Sequence, residues 1–319
     1  MQLIYLIFFI LFLNAQTFAQ DYPRKSIRLI VPFAAGGTSE ILARMIGQKM
    51  GEHLGQSIII DVRPGGSGSL GTGLTASAPP DGYTLLFTSL SPIVININLS
   101  SIKTSYDPLK DLAPISIITK VPSVFTVHAD SSFRSMKDLI SQAKSSPSKI
   151  SYGSSGIGSI NHLIGEMFSI NAGVSFLHVP YKGAGQGLVG LMTKEVNMIL
   201  AAPPAVLPQI RINNFRALAV SSATRSPSLP NVPTIIESGI PGFDLSAWYC
   251  LMAPGGTPKV IVSKIREALI KTITASPVID KLLMEGASPE PTTPDQLTNL
   301  IKTELVIWAK AVKVSGADQ

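Results

Sequence analysis

A single cysteine, Cys250, stands in 319 residues, so no intramolecular disulfide can form and no cysteine near the amino terminus can carry a lipid. Charge is scarce as well: Asp, Glu, Lys and Arg make up 14% of the chain, against roughly 25% in an average globular protein. The 26 basic and 20 acidic side chains leave +6, yet the longest basic run is the pair Arg24, Lys25. No aromatic residues interleave a basic stripe, which argues against a nucleic-acid partner. The four histidines, His53, His128, His162 and His178, have no metal-ligand spacing. No G-x-S-x-G occurs, and the S-x-x-K matches at Ser141 to Lys144 and Ser146 to Lys149 have no companion motif. The expectation is a protein without cofactor, metal or turnover. Long apolar runs are missing after the amino terminus, because the best candidate, Val196 to Ile210, holds Pro203, Pro204 and Pro208, which a membrane span would not carry.

What is present is apolar mass. Hydrophobic residues make up 45%, enough to bury an ample core and to exclude disorder. Leu3 to Leu13 is an uninterrupted apolar run, and Asn14 to Gln20 then turns small and polar. That pattern predicts a signal peptide over 1–19 cleaved after Ala19. The n-region has no Lys or Arg, so a retained anchor is the alternative. Export without a second anchor predicts a periplasmic protein, and the length of the remainder predicts two packed cores.

Beyond the leader, short β-rich runs alternate with helical patterns, which predicts an α/β architecture. Ile27 to Phe33 reads as a buried strand, Ala34 to Ser39 as a glycine loop, and Glu40 to Leu54 as an amphipathic helix. Strands are expected at Ser57 to Val62 and Thr84 to Thr88, and Ile115 to Val127 reads as a crossover into a second unit. That unit has helices at Ser135 to Ser145, Ile160 to Asn171 and Gln186 to Thr193. Its strands are Lys149 to Tyr152, Ser175 to Val179, Val196 to Leu200 and Phe215 to Val220. After the proline-rich passage Ser226 to Pro241, the extended Asp244 to Ala253 leads to three closing helices, Pro258 to Ala275, Pro277 to Glu285 and Pro294 to Val314. A tail of helices without a new sheet is expected to pack back on the first unit, giving two lobes joined by two crossover strands. The expected division is 20–121 with 243–319 for the first lobe and 122–242 for the second.

Two glycine loops carry the candidate chemistry. In PFAAGGTSE, Phe33, Ala34, Ala35, Gly36, Gly37, Thr38, Ser39 and Glu40 link a strand to a helix start, where unpaired N–H groups and the helix dipole favour an anion. Thr38 or Ser39 is expected as N-cap, and a plain capped turn is the bland alternative. GSSGIGS repeats the arrangement with Ser154, Ser155, Gly156, Gly158 and Ser159, and His162 follows one turn into the helix. Facing each other, the loops would grip a carboxylate through charge-assisted backbone hydrogen bonds. Ser89, beyond the third strand, and Tyr181, Lys182 and Gly183 in HVPYKGAG are further candidates. GSGSLG, Gly66 to Gly71, satisfies G-x-G-x-x-G, but its helix ends within about two turns at Pro79 and no acidic residue stands about 20 positions on, which disfavours a dinucleotide. Cys250 and Trp308 read as core, and Trp248 and Tyr249 as hinge packing.

YPRKSIRLIVPFAAGGTSEILAR, DVRPGGSGSLG, PPDGYTLLF, YDPLKDLAPIS, ISYGSSGIGSINHLIGEMF, HVPYKGAG, FRALAVSSATRSPSLPNVPTIIESGIPGF and LMAPGGTPKVIVSKI together resemble the periplasmic substrate-binding proteins of tripartite tricarboxylate transporters, the Bug or TctC family. The resemblance implies a two-lobed Venus flytrap, each lobe a mixed, mostly parallel sheet flanked by helices. It implies a ligand carboxylate between Phe33 to Thr38 and Ser154 to Ser159, with His178 to Gly183 nearby. It also implies a small organic acid as ligand, a monomer, and a partner that is a membrane permease or a membrane sensor. The chain departs from the family at four positions. Glu40 replaces an Asp, Val62 replaces an Asn, and Gly190 and Asn197 each stand where an Asp is common, which favours a plain organic acid over an amino acid. An exported hydrolase or transferase using Ser155 or His162 is the alternative from another class.

Overall fold

The computed structural model describes residues 22–315. The expected leader, its cleavage after Ala19 and the possible anchor lie outside the described residues. Chain order runs β1 (Ile27–Val31), α1 (Thr38–Leu54), β2 (Ile58–Val62), α2 (Ser69–Ala76), β3 (Thr84–Ser89), β4 (Leu112–Pro122), β5 (Val124–His128), α3 (Met136–Ser145), β6 (Ser151–Ser154) and α4 (Ile160–Ala172). It continues with β7 (Leu177–Pro180), α5 (Ala184–Met192), β8 (Met198–Ala201), α6 (Pro203–Arg211), β9 (Phe215–Val220), β10 (Ser246–Pro254), α7 (Lys259–Ile273), α8 (Ser276–Met284), β11 (Ser288–Pro289) and α9 (Pro294–Ser315).

Two sheets result. One has six strands in the order β11-β4-β10-β3-β1-β2, the other five in the order β7-β6-β8-β5-β9. β1 is parallel to β2 and β3, and β6 is parallel to β7 and β8. The crossover strands supply the mixed character, since β10 runs antiparallel to β3 and β4, and β5 antiparallel to β8 and β9. The sequence IRLIV suits β1 to an interior place between β3 and β2: four of its five residues are buried, as expected of a strand covered on both faces. The chain leaves the first sheet at Pro122, crosses at Ser123 and enters the second at Val124; β10 brings it back beside β4.

A helix over Pro203–Arg211 escapes the sequence reading. The stretch holding Pro203, Pro204 and Pro208 forms α6. Pro203 and Pro204 occupy its first two positions, where a missing N–H costs nothing. At the tail, α9 packs on β4 and reaches α4 of the other sheet. It is fixed there by Glu304, whose half-buried carboxylate accepts from the indoles of Trp248 (2.8 Å) and Trp308 (3.1 Å). Burial raises its pKa, and the two donors oppose that rise. Cys250 is fully buried. Among the described residues no helix is long and apolar enough to cross a membrane.

Candidate functional site

The first loop turns on Gly36, whose φ of +78° suits a residue without Cβ. α1 is capped by Gly37, with no side-chain cap, so neither Thr38 nor Ser39 is the N-cap; both are the first residues inside the helix. Their N–H groups have no intrahelical acceptor. Glu40 occupies the amide that the loop would otherwise offer, since its carboxylate accepts from Gly36 N (2.8 Å) and from Arg44 Nε (2.8 Å). The Gly36 N–H, with Arg44 beyond it, holds the Glu40 pKa below the usual carboxylate value. The methylene that distinguishes it from Asp gives the carboxylate reach to fold back on its own loop.

The second loop spends most of its amides internally. Gly156 N donates to Ser154 Oγ (3.2 Å), Gly158 N to His162 Nδ1 (3.2 Å) and Ser159 N to the Gly156 carbonyl (3.1 Å). Ser159 caps α4 by accepting from His162 N. Behind this loop the His162 and His178 rings stack at 3.9 Å, and His178 Nε2 lies 2.7 Å from Ser154 Oγ. Burial pushes the His162 pKa down to about 4; burial, aided by the neighbouring His162, takes His178 down to about 3. Both rings are therefore neutral near pH 7, and the 3.9 Å separation of His162 Nε2 from Glu166 is not an ion pair.

Between the sheets lies a cavity of about 40 Å³. It is bordered by Gly37, Thr38 and Ser39 at the start of α1, Ser159, Ile160 and Asn161 at the start of α4, and Gly183 and Ala184 at the start of α5. Three helix N-termini thus converge, with their positive dipole ends together. Phe33, Ala34, Ser89, Ser91, Ser155 and Tyr249 complete the lining, which contains no charged side chain. Tyr249 sits against the Thr38 and Ser39 hydroxyls, and burial raises its pKa to about 12. Phe33, Ala34 and Ser155 also border an outer chamber with Gly156, Tyr181 and Lys182.

The expected residues therefore divide. Phe33, Ala34, Gly37, Thr38, Ser39, Ser89, Ser155, Ser159 and Gly183 line the inner cavity; Gly156, Tyr181 and Lys182 line the outer chamber. Ala35, Gly36, Glu40, Ser154, Gly158 and His162 border neither and stand behind the lining. Sequence reasoning missed Ser91, Ile160, Asn161 and Ala184, and it placed Tyr249 in hinge packing, where the structure sets it in the cavity wall. The helix starts at Ile160 and Ala184 were the available signal. Asn161 also links the crossover to Ser155 in a hydrogen-bonded chain: Ser221 Oγ donates to the Leu245 carbonyl (2.5 Å), Ser123 N to Ser221 Oγ (2.8 Å), Ser123 Oγ to Asn161 Oδ1 (2.6 Å) and Asn161 Nδ2 to Ser155 Oγ (3.3 Å). Ser155 is paired with that amide rather than with a histidine, so no nucleophile–base pair is formed there.

Contacts across the seam close it. Ser67 Oγ donates to the Ile157 carbonyl, Ile160 N to Ser91 Oγ (3.0 Å), and Arg211 Nη2 to the Met284 carbonyl (3.0 Å). Of the departures from the family pattern, Val62 ends β2 in register with Val31, and Asn197 accepts from Ser151 N at 2.9 Å. Gly190 has a packing reason: a Cβ there would lie 2.2 Å from the Tyr181 hydroxyl, and Gly153 and Gly187 bound the same ring. Gly190→Asp is expected to destabilise the protein by about 2 kcal/mol through overpacking, read as a lower urea midpoint at unchanged slope.

Comparison with known proteins fits this geometry. The model of the tripartite tricarboxylate transporter family receptor matches residues 42–316. BugT of Bordetella pertussis is 36% identical over 300 residues, covering 94% of this chain and 92% of its own. The structure of Rpa4515 from R. palustris with adipate superposes with a TM-score of 0.90 at 35% identity, covering 93% of this chain and 99% of its own. MatC from Rhodopseudomonas palustris with bound malate gives 0.85 at 30% identity, covering 91% and 100%. The chain accordingly belongs to the TctC, or Bug, family of periplasmic solute-binding proteins.

Proposed function

We propose that this chain captures a small organic acid by seating one carboxylate in the inner cavity as its lobes, 20–121 with 243–319 and 122–242, close on it. The observation that carries this reading is the convergence of three helix N-termini on a hydroxyl-lined cavity without a charged side chain. Oriented N–H groups and helix dipoles stabilise an anion there without a buried lysine. The solved relatives with adipate and malate support an acid as guest. The protein acts in the periplasm as a monomer, and the closed, loaded form is what its membrane permease recognises; presentation to a membrane sensor would use the same cleft. Contacts made only in the closed form shift the population toward closure.

A screen of di- and tricarboxylates at millimolar concentration tests the reading. At about a thousandfold excess over Kd the stabilisation is about 4 kcal/mol, so the thermal midpoint should rise by about 5 °C or more. Folded, ligand-stripped protein that responds to none of these acids would sink the proposal.

A further inference from the structure

The chain passes between the two sheets twice, and one serine holds both passages together. Ser123 is the single residue between β4 and β5, and Leu245 immediately precedes β10. Ser221, next after β9, bonds to each. Its N–H donates to the Ser123 carbonyl (2.9 Å) and its carbonyl accepts from Leu245 N (3.0 Å), while its Oγ accepts from Ser123 N (2.8 Å) and donates to the Leu245 carbonyl (2.5 Å). Pro122 and Ser246, the neighbours of these two residues, are paired in register. The passages are therefore stapled side by side, and a turn of one carries the other.

The Ser123 hydroxyl takes no part in that clamp. It donates instead to Asn161 Oδ1 (2.6 Å), on the second residue of α4 and in the wall of the inner cavity. Asn161 Nδ2 reaches Ser155 Oγ (3.3 Å), and the preceding Ile160 N donates to Ser91 Oγ (3.0 Å) across the seam. Ser123 and Asn161 are both buried, so breaking their bond leaves the amide oxygen without a ready partner. Ser123 itself borders neither the inner cavity nor the outer chamber. It acts on a guest only through Asn161.

Hinge motion is absorbed by the torsions of a few residues where the chain passes between the moving parts. Ser123 stands at such a place, and its hydroxyl swings with its own main chain while Asn161 is carried by α4. We propose that Ser123 is a positioning residue that ties the hinge angle to the cavity wall: its hydroxyl meets Asn161 in the closed form, fixes that amide and through it Ser155, and lets go when the lobes part. This rests on the reading that the lobes close on a captured acid, and names the residue that couples the hinge to the site.

Ser123→Ala tests it, because a bond made in one form and a bond made in both leave different traces. Lost from the closed form alone, it weakens binding and spares the open, unliganded protein; lost from both, it lowers stability and leaves affinity unchanged. Calorimetric titration with adipate, with malate and with any other acid of the screen that the wild type binds is set beside urea unfolding without ligand. The variant should bind about tenfold more weakly at an unchanged urea midpoint. Affinity retained within twofold, or a lowered urea midpoint of the unliganded protein, overturns the coupling while leaving acid capture intact. Folded wild type that binds no acid of the screen overturns capture itself, and this inference with it.

Discussion

Gly183→Leu is expected to lower the affinity for the captured acid by about a hundredfold, corresponding to about 2.7 kcal/mol, while leaving the thermal midpoint of the unliganded protein within a few degrees. The asymmetry follows from where the side chain would go. A Cβ at position 183 would lie 2.9 Å from the Ala34 Cβ in the opposite lobe, and Gly185 approaches the Ala35 carbonyl nearby. The backbone at Gly183 is extended, with φ 164° and ψ 168°, so leucine meets no local strain. Its cost falls on the closed form alone, and a substituent that penalises one of two states shifts the equilibrium by that penalty. Gly183→Ala adds only the methyl group, whose 2.9 Å approach to the Ala34 Cβ still requires the two loops to part slightly, and should cost less than the leucine variant, about tenfold. Calorimetric titration alongside thermal melts of both variants checks the prediction; affinity retained within threefold by the leucine variant would contradict it.

Acid should loosen the second lobe well before the rest of the molecule. His162 and His178 ordinarily titrate near 6.5 but are held down at about 4 and about 3. Between those values and 6.5 the unfolded chain binds protons that the folded chain refuses, so stability rises with pH there and is lost as pH falls. Each ring contributes about 2 kcal/mol between pH 7 and pH 5, and because the stacked rings are coupled the pair is worth about 3 kcal/mol. Glu166 acts in the opposite sense. Burial raises its pKa, opposed by the Tyr152 hydroxyl, which donates to it at 2.6 Å. Its share of stability is therefore present at low pH and is lost as pH rises through its raised value. Below pH 5 it offsets part of the histidine loss. Protonating His162 at Nδ1 also removes the acceptor of the Gly158 N–H, so the loop beside the cavity loses its shape together with its stability. Urea unfolding at pH 7 and pH 5 measures the sum, and His178→Gln should flatten the difference by about half. Equal stability at the two pH values would show that the rings do not titrate as their burial requires.

The parts legible from sequence were those with local grammar. IRLIV followed by AAGGTS announces a strand, a glycine loop and a helix because buried β-branched residues, the positive-φ Gly36 and a 3.6-residue period all act over short distances. The two lobes were legible from Pro122 and from the run ending at Ala253, where extended segments cross between units. Tyr249 was not legible as cavity wall, because its role depends on β10 lying beside β3, a pairing between residues far apart in the chain. The chain Ser221–Ser123–Asn161–Ser155 was hidden for the same reason. α6 was obscured by its prolines, which are unfavourable in a helix interior: Pro203 and Pro204 sit in its first turn, where they are acceptable, while Pro208 lies inside the helix. The second glycine loop was legible as a loop, but its amides proved to be committed to Ser154, Gly156 and His162. From that lobe the cavity is bordered instead by the starts of α4 and α5, although at α4 Ile160 N already donates to Ser91 Oγ and His162 N to Ser159 Oγ.

A crystal structure of the protein with adipate addresses the account most directly. One carboxylate should lie between the first turns of α1, α4 and α5, within hydrogen-bonding distance of main-chain N–H groups and of the hydroxyls of Thr38, Ser91 or Ser159, with the lobes closed over it. An acid bound elsewhere, or held in the cleft only by side-chain charges while the three helix starts remain bare, would contradict the claim that helix termini make this site.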